Sequence, residues 1–288
     1  MLFAWQGLEL EHPDDWECMR YSKSRRRGEC TLADRHGVRL ILNWHAAKGS
    51  ADFSKMFKAL ATELGKSDRE GKAGAIQSGP GQWRCMEWMG GPKHSGASAI
   101  IALAQFAERG CVVKAELPVT KATRKESLRV LESFSCRKTS GQWHWSAFGC
   151  RLYLPAEMEL ESCEVLPGRA SMAFRQKGRA GQSFRLHRLA MPETHLKGRG
   201  LKEWMSGTTR SEQERVQDIR PRPFRGHEAF SARLRPVADT ALQRLLRRKW
   251  RGQAAVWICD REQRLYRAEW DGAPSVNEPA LESWVECQ

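Results

Sequence analysis

Histidine, cysteine and arginine are the residues of this chain that could do chemistry, and their spacing limits what chemistry that is. There are eight histidines and nine cysteines in 288 residues. No Cys-x-x-Cys occurs, so neither a zinc ribbon nor a thioredoxin-type motif is supported. His36 and His45 flank one strand but lie too far apart for a local metal pair. There is no His-Glu-x-x-His, no Gly-x-Ser-x-Gly and no Walker lysine loop. His94-Ser95 could in principle serve a nucleophile. Neighbouring residues on a strand point to opposite sides, however, and no acidic group stands nearby to orient the ring. Gly178-Arg179-Ala180-Gly181 is too short to cradle a phosphate and reads as a hairpin turn. No catalytic residue, metal ligand or cofactor is expected.

The arginines say more. Arg244, Arg247, Arg248, Lys249 and Arg251 crowd around Trp250 in a segment that reads as a short basic helix. Asp239 or Thr240 would cap it, and Leu242, Leu245, Leu246 and Trp250 would line one side. Cations supply affinity for phosphates or acidic surfaces, and an aromatic ring can stack. The plainer reading is a solvated helix covering a sheet edge. Lys23, Arg25, Arg26 and Arg27 read as a solvated hairpin tip, and Lys121, Arg124, Lys125 and Arg129 as the wet side of a helix. The formal charge of +14 is shared by both halves rather than confined to a tail. An acidic protein, a nucleic acid or an anionic membrane surface would each suit it. An arginine-rich composition with no such partner explains it as well.

Composition narrows the class. Forty-one per cent apolar residues suffices for a core, and 12 Trp and 10 Phe against 3 Tyr supply bulky core side chains. Cys85, Cys111 and Cys259 sit within apolar strands, where a thiol packs as a small apolar group. The N-terminus lacks the basic region of a secretion signal, and no run of 18 apolar residues exists. Reduced thiols agree with a cytoplasmic location.

The elements that must position these residues occur twice. Residues 131–136 read Leu-Glu-Ser-Phe-Ser-Cys, and 281–287 read Leu-Glu-Ser-Trp-Val-Glu-Cys. Trp5 precedes Leu8-Glu9-Leu10-Glu11-His12-Pro13, and Trp145 precedes Cys150-Arg151-Leu152-Tyr153-Leu154-Pro155. Both are period-two strands stopped by proline. Polar turns follow, Arg25-Arg26-Arg27-Gly28 and Pro167-Gly168-Arg169. Then Val38–Trp44 aligns with Ser183–Leu189. Phe53, Met56, Phe57, Leu60 and Leu64 form one helical stripe with Asp52 as N-cap, answered by the shorter Leu201, Trp204, Met205. Trp83–Trp88 aligns with His227–Ala232, Ala97–Leu103 with Gln253–Cys259, and Cys111–Leu117 with Leu265–Trp270. Cys136 and Cys287 occupy equivalent ends. So long a period means two globular copies, since solenoid repeats run about 20–50 residues.

The expected domains are 1–137 and 143–288, joined by a short polar linker at 138–142. The copies differ most where the first has a glycine loop, Gly90–Gly96, and the second has the basic segment.

Leu10-Glu11-His12-Pro13-Asp14-Asp15-Trp16, then a hairpin, a helix, three antiparallel strands and a closing Leu-Glu-Ser-Phe, resemble the PsbP-like superfamily with its Mog-like and DcrB-like members. The second copy departs at Leu154-Pro155-Ala156-Glu157-Met158, with no tryptophan. The resemblance implies an antiparallel sheet flanked by helices and a family that mostly binds proteins.

The expectation is therefore an α+β protein of two tandem α/β/α-sandwich copies, each an antiparallel sheet flanked by helices. Its expected role is that of a non-catalytic, cytoplasmic protein-binding or scaffold module. The expected binding residues are Arg244, Arg247, Arg248, Lys249, Trp250 and Arg251, and the expected partner is an acidic protein. Two alternatives stand beside it: a nucleic-acid-associated protein using the same arginines, and an enzyme with a site at the seam between copies. A small apolar patch rimmed by charge favours a protein partner. A deep pocket with converging His, Cys and carboxylates favours an enzyme.

Overall fold

The computed structural model describes residues 1–91, 98–136, 141–176, 182–207, 214–236, 251–272 and 281–287. Four expectations lie outside them: the His94-Ser95 pair, the Gly178–Gly181 turn, most of the linker and the basic segment up to Trp250. The chain divides into two compact units, Met1–Thr139 and Ser140–Gln288.

The first unit opens with the hairpin β1 (Leu2–Trp5) and β2 (Leu8–Glu11), turned at Gln6-Gly7 with both φ positive. Strands β3 (Glu17–Tyr21), β4 (Arg27–Asp34) and β5 (Gly37–Ala46) follow, then helix α1 (Phe53–Ser67). The Asp52 carboxylate accepts from the Lys55 N–H at 3.0 Å and caps that helix. After it come β6 (Lys72–Ala73), β7 (Gln77–Ser78), β8 (Arg84–Met89), β9 (Ser98–Phe106) and β10 (Cys111–Val119). Helix α2 (Arg124–Ser133) and β11 (Ser135–Cys136) close the unit. The large antiparallel sheet runs β3-β4-β5-β10-β9-β8-β6, with β7 also on β8. The closing strand β11 pairs with β2, giving a small sheet β11-β2-β1.

The second unit repeats this order. β12 (Gln142–Ala147) and β13 (Cys150–Pro155) turn at Phe148-Gly149, again with both φ positive. β14 (Met158–Leu166), β15 (Arg169–Gln176) and β16 (Ser183–Ala190) lead to helices α3 (Pro192–Leu196) and α4 (Leu201–Gly207). Next are β17 (Glu214–Pro221), β18 (Ala229–Pro236), β19 (Arg251–Cys259) and β20 (Arg264–Gly272). A one-turn helix α5 (Leu281–Trp284) and β21 (Val285–Glu286) end it. The large sheet runs β14-β15-β16-β20-β19-β18-β17, and β21 returns to pair with β13.

Directly paired residues share a face, so the registers sort each sheet into two sides. In the first unit one side carries Cys30, Leu32, Leu40, Leu42, Trp44, Val113, Ala115, Ala102 and Phe106, all buried. The indole N–H groups of this core find carbonyls: Trp5 to Ser22 at 3.0 Å, Trp44 to Ser24 at 3.1 Å, Trp83 to Leu131 at 3.0 Å. On the other side α1 sets Phe53, Met56, Phe57, Leu60 and Leu64 against Met86, Trp88, Ile101 and Leu103. In the second unit Trp204 and Met205 of α4 pack the same way on Ala232, Leu234, Ala254 and Val256.

The expected α/β/α sandwich is corrected. The antiparallel pairing holds, but the protein is mostly sheet with few helices. The element the expectation lacked is the small sheet. The opening hairpin and the strand after the closing Leu-Glu-Ser helix pair with each other, and strand takes the place expected for helix.

The registers also correct the alignment of the copies. The two turns equate Gln6-Gly7 with Phe148-Gly149, so Trp5 corresponds to Ala147 and not to Trp145. Trp44 pairs with Val113 and Arg188 pairs with Tyr266, and Val113 and Tyr266 each stand two residues before the Ala-Glu pair of their strand. Trp44 therefore corresponds to Arg188, not Leu189. That one-residue slip would have turned the strand over. The edge strands agree to the residue: β3 bulges between Cys18 and Arg20, and β14 between Leu160 and Ser162.

Candidate functional site

The hairpin joining β14 to β15 ends in Val165-Leu166-Pro167-Gly168. Pro167 and Gly168 (φ +75) shape the turn. The ladder pairs Val165 with Ala170 and Leu166 with Arg169. Across the next strand, the Ala190 N–H donates to the Gly168 carbonyl at 2.6 Å, which brings Met191 beside the turn. Met191 is held at φ 52, the left-handed region that a side chain such as methionine seldom adopts, immediately before Pro192.

This tip is apolar and open. Val165 is 41% exposed, Leu166 50% and Met191 62%. Charge stands beside it: Glu164 and Arg169, on the face of Leu166, pair at 3.6 Å with about half of each side chain in solvent, Val165 faces the other side, and exposed Glu193 follows Met191 by two residues. A hydrophobic seat with a charged border is what a protein partner uses. In the first unit the matching tip carries Lys23, Arg25, Arg26 and Arg27, of which Lys23, Arg26 and Arg27 are exposed. One hairpin thus ends in apolar residues and its counterpart in cations.

In sequence Pro167-Gly168-Arg169 reads only as a polar turn, which hides this site. The signal was the apolar pair directly before it and a methionine directly before Pro192. Of the expected binding residues, Arg244 to Trp250 lie outside the described residues. Arg251 opens β19, its backbone paired with Gly272.

Three of the described histidines sit in packed surroundings. His12 Nδ1 donates to the Pro13 carbonyl (2.7 Å) and the ring stacks on Trp16; burial pulls its pKa down. His144 stacks on Tyr153 at 4.6 Å. Burial also lowers His187. The pocket between Arg222, Phe224, Gln253, Leu281 and Glu282 offers about 10 Å³, the lower bound for one water. Among the described residues, His227, Cys259 and Cys287 could together hold a metal.

No family model matches the sequence, so the PsbP-like resemblance gains no support there. No curated protein matches it either. Among solved structures, the apo immunity protein TplEi of the T6SS from Pseudomonas aeruginosa is similar, at 8% identity and a TM-score of 0.33. The match covers 93% of each chain. The same protein complexed with "L" peptide gives 8% identity and a TM-score of 0.32, over 92% of this chain and 90% of that one. At these scores the likeness decides neither fold nor function. Among the described residues, no helix is long and apolar enough to cross a membrane.

Proposed function

We propose that this chain is a non-catalytic module that binds a protein partner, with the β14–β15 hairpin tip of the second unit as its seat. The observation that carries the reading is the run of exposed apolar residues at this tip, Leu166 on one face with Glu164 and Arg169, Val165 on the other, and Met191 just past the neighbouring strand. A small apolar centre with a polar border is the usual anatomy of a contact hot spot. The basic segment Arg244–Arg251 and the overall charge of +14 give the partner its character, an acidic protein drawn in by long-range attraction. The cytoplasm remains the proposed location.

The test is capture with the tagged full chain at moderate salt, with and without nuclease, beside a Leu166→Asp Met191→Asp double variant. The reading expects a defined protein that survives nuclease and is lost from the variant while its melting curve stays the same. Retention of nucleic acid alone, released by salt, would overturn it.

A further inference from the structure

His227, Cys259 and Cys287 come from three separate stretches of the second unit. Their ligand atoms all lie within 4.8 Å of one another. Each is fixed by structure around it. His227 closes a two-residue turn, Arg225-Gly226, with φ of 47° and 83°. Phe224 and His227 exchange both backbone hydrogen bonds across it, at 3.1 and 2.9 Å. Cys259 is the last residue of β19 and is buried. Cys287 follows β21 directly. Arg225 ties the first stretch to the last, donating to the Glu282 carbonyl at 2.7 Å and to Glu286 Oε1 at 3.1 Å.

The surroundings suit a soft ligand set. Trp257 lies two residues before Cys259, on the same face of β19. Its ring stacks on Phe224 at 4.0 Å and on Tyr266 at 5.1 Å. Its Nε1–H donates to Cys287 Sγ at 3.3 Å. Such a donor orients a thiolate ligand and tempers its charge.

We propose that His227, Cys259 and Cys287 form a zinc-class metal site, with two thiolates, one imidazole and a fourth position for water or an outside ligand. Zinc bonds of about 2.3 Å to sulfur and 2.0–2.1 Å to nitrogen put tetrahedral ligands about 3.5–3.8 Å apart. The observed cluster closes to that spacing with movements of about 1 Å. Binding exchanges two thiol protons for one divalent cation, and the protons leave to solvent.

The first unit provides the internal control. Cys136 stands where Cys287 does: β11 pairs with β2 as β21 pairs with β13. Phe106 stands in the place of Cys259, at the end of β9, and packs on Trp83 and Phe134 at 5.8 and 5.2 Å. The ligand set is therefore complete in the second unit alone.

The experiment is titration of the reduced full-length protein with Co²⁺, read by thiolate-to-cobalt absorption, followed by Zn²⁺ displacement. The proposal expects a band that saturates at one equivalent, disappears with Zn²⁺, and is lost in Cys259→Ser and in Cys287→Ser. It expects weaker binding in His227→Gln and no change in Cys136→Ser. Trp257→Phe should weaken binding roughly ten- to a hundredfold. Circular dichroism of each metal-free variant checks that the fold persists, and Cys287→Ser, at the half-exposed position, is the variant best placed to keep it. Absence of the band in the wild type would overturn the proposal. So would its survival in both cysteine variants, or a Cys259–Cys287 disulfide in the native protein.

Discussion

On β10 of the first unit, Lys114 and Glu116 stand 3.4 Å apart with 28% and 29% of their side chains exposed. On β20 of the second, Arg267 and Glu269 occupy the corresponding positions at 2.6 Å, with 5% and 2% exposed. The strand, the spacing and the order of charges are the same. The cover differs: the Arg267 guanidinium lies 6.0 Å from the ring of Trp204 on α4. A second pair of positions shows an exchange. In the first unit Arg109 lies over Trp44 at 5.2 Å. Arg109 also donates to Gln6 Oε1 at 3.0 Å. In the second, Trp44 is replaced by Arg188 and Arg109 by Glu262, which meet at 3.0 Å with the Tyr266 hydroxyl also on Glu262 at 2.7 Å. A cation over a ring has become an ion pair. The two units keep the location of their charged contacts while the chemistry changes, so likeness of fold between them does not imply likeness of surface.

The largest expected effect follows from that difference in cover. Glu269→Gln removes a buried carboxylate 2.6 Å from the Arg267 guanidinium and should cost about 3–5 kcal/mol in denaturant unfolding. Glu116→Gln, at the equivalent but half-exposed position, should cost about 1 kcal/mol or less. Equal losses would mean that burial does not separate the two pairs.

A packing difference gives the next effect. A Cβ on Gly28 would sit 2.5 Å from Trp44 Cζ2 and 2.6 Å from Ser22 Cβ. At the corresponding position of the second unit, opposite Arg188, stands Ala170. Gly28→Ala should therefore destabilise by about 1–3 kcal/mol, the range for overpacking. A neutral result would show that the Trp44 ring can yield.

The thiols supply a pH effect shared by both units. Burial pushes Cys136, Cys150 and Cys287 up to about 12 and Cys85 to about 11, from an ordinary value of 9.0. Above pH 9 the unfolded chain releases these protons while the folded chain keeps them. The thiols' contribution to stability is therefore flat below about pH 9 and falls between about pH 9 and 12, by at most about 1.4 kcal/mol per thiol per pH unit. Denaturant midpoints across that range should show the fall, and Cys136→Ser with Cys150→Ser should flatten it.

The smallest expected effect on stability is at the apolar tip. Leu166→Asp should change it by no more than about 0.5 kcal/mol, because the side chain is half in solvent. Thermal melting checks this, and a large loss would make the tip structural.

Much of the fold was legible in the residues. The stripe from Phe53 to Leu64 with Asp52 before it marked α1, and alternation with proline stops marked β2 and β13. The repeated Leu-Glu-Ser words marked the closing elements, and Cys136 and Cys287 do fall at equivalent registers. What sequence could not supply was pairing. The return of residues 135–136 to β2 is a contact across most of a unit, and no local pattern announces it. Registers failed for a related reason. Ser183-Phe184-Arg185-Leu186-His187-Arg188-Leu189 alternates in either phase once Arg188 takes an inward position, so only the ladder decides which face is buried. The metal ligands were invisible because His227, Cys259 and Cys287 meet only in three dimensions. The apolar tip was hidden by its own turn residues.

The contrast between the two hairpin tips carries the central claim, that the second unit seats a protein partner on Val165, Leu166 and Met191. A photo-crosslinking residue placed at Leu166, and separately at Arg26 in the basic tip of the first unit, tests it directly in the full-length protein at moderate salt. The account predicts one discrete protein adduct from position 166, competed away by unlabelled wild type and absent from position 26. Adducts from position 26 alone, or adducts that prove to be nucleic acid, would contradict it.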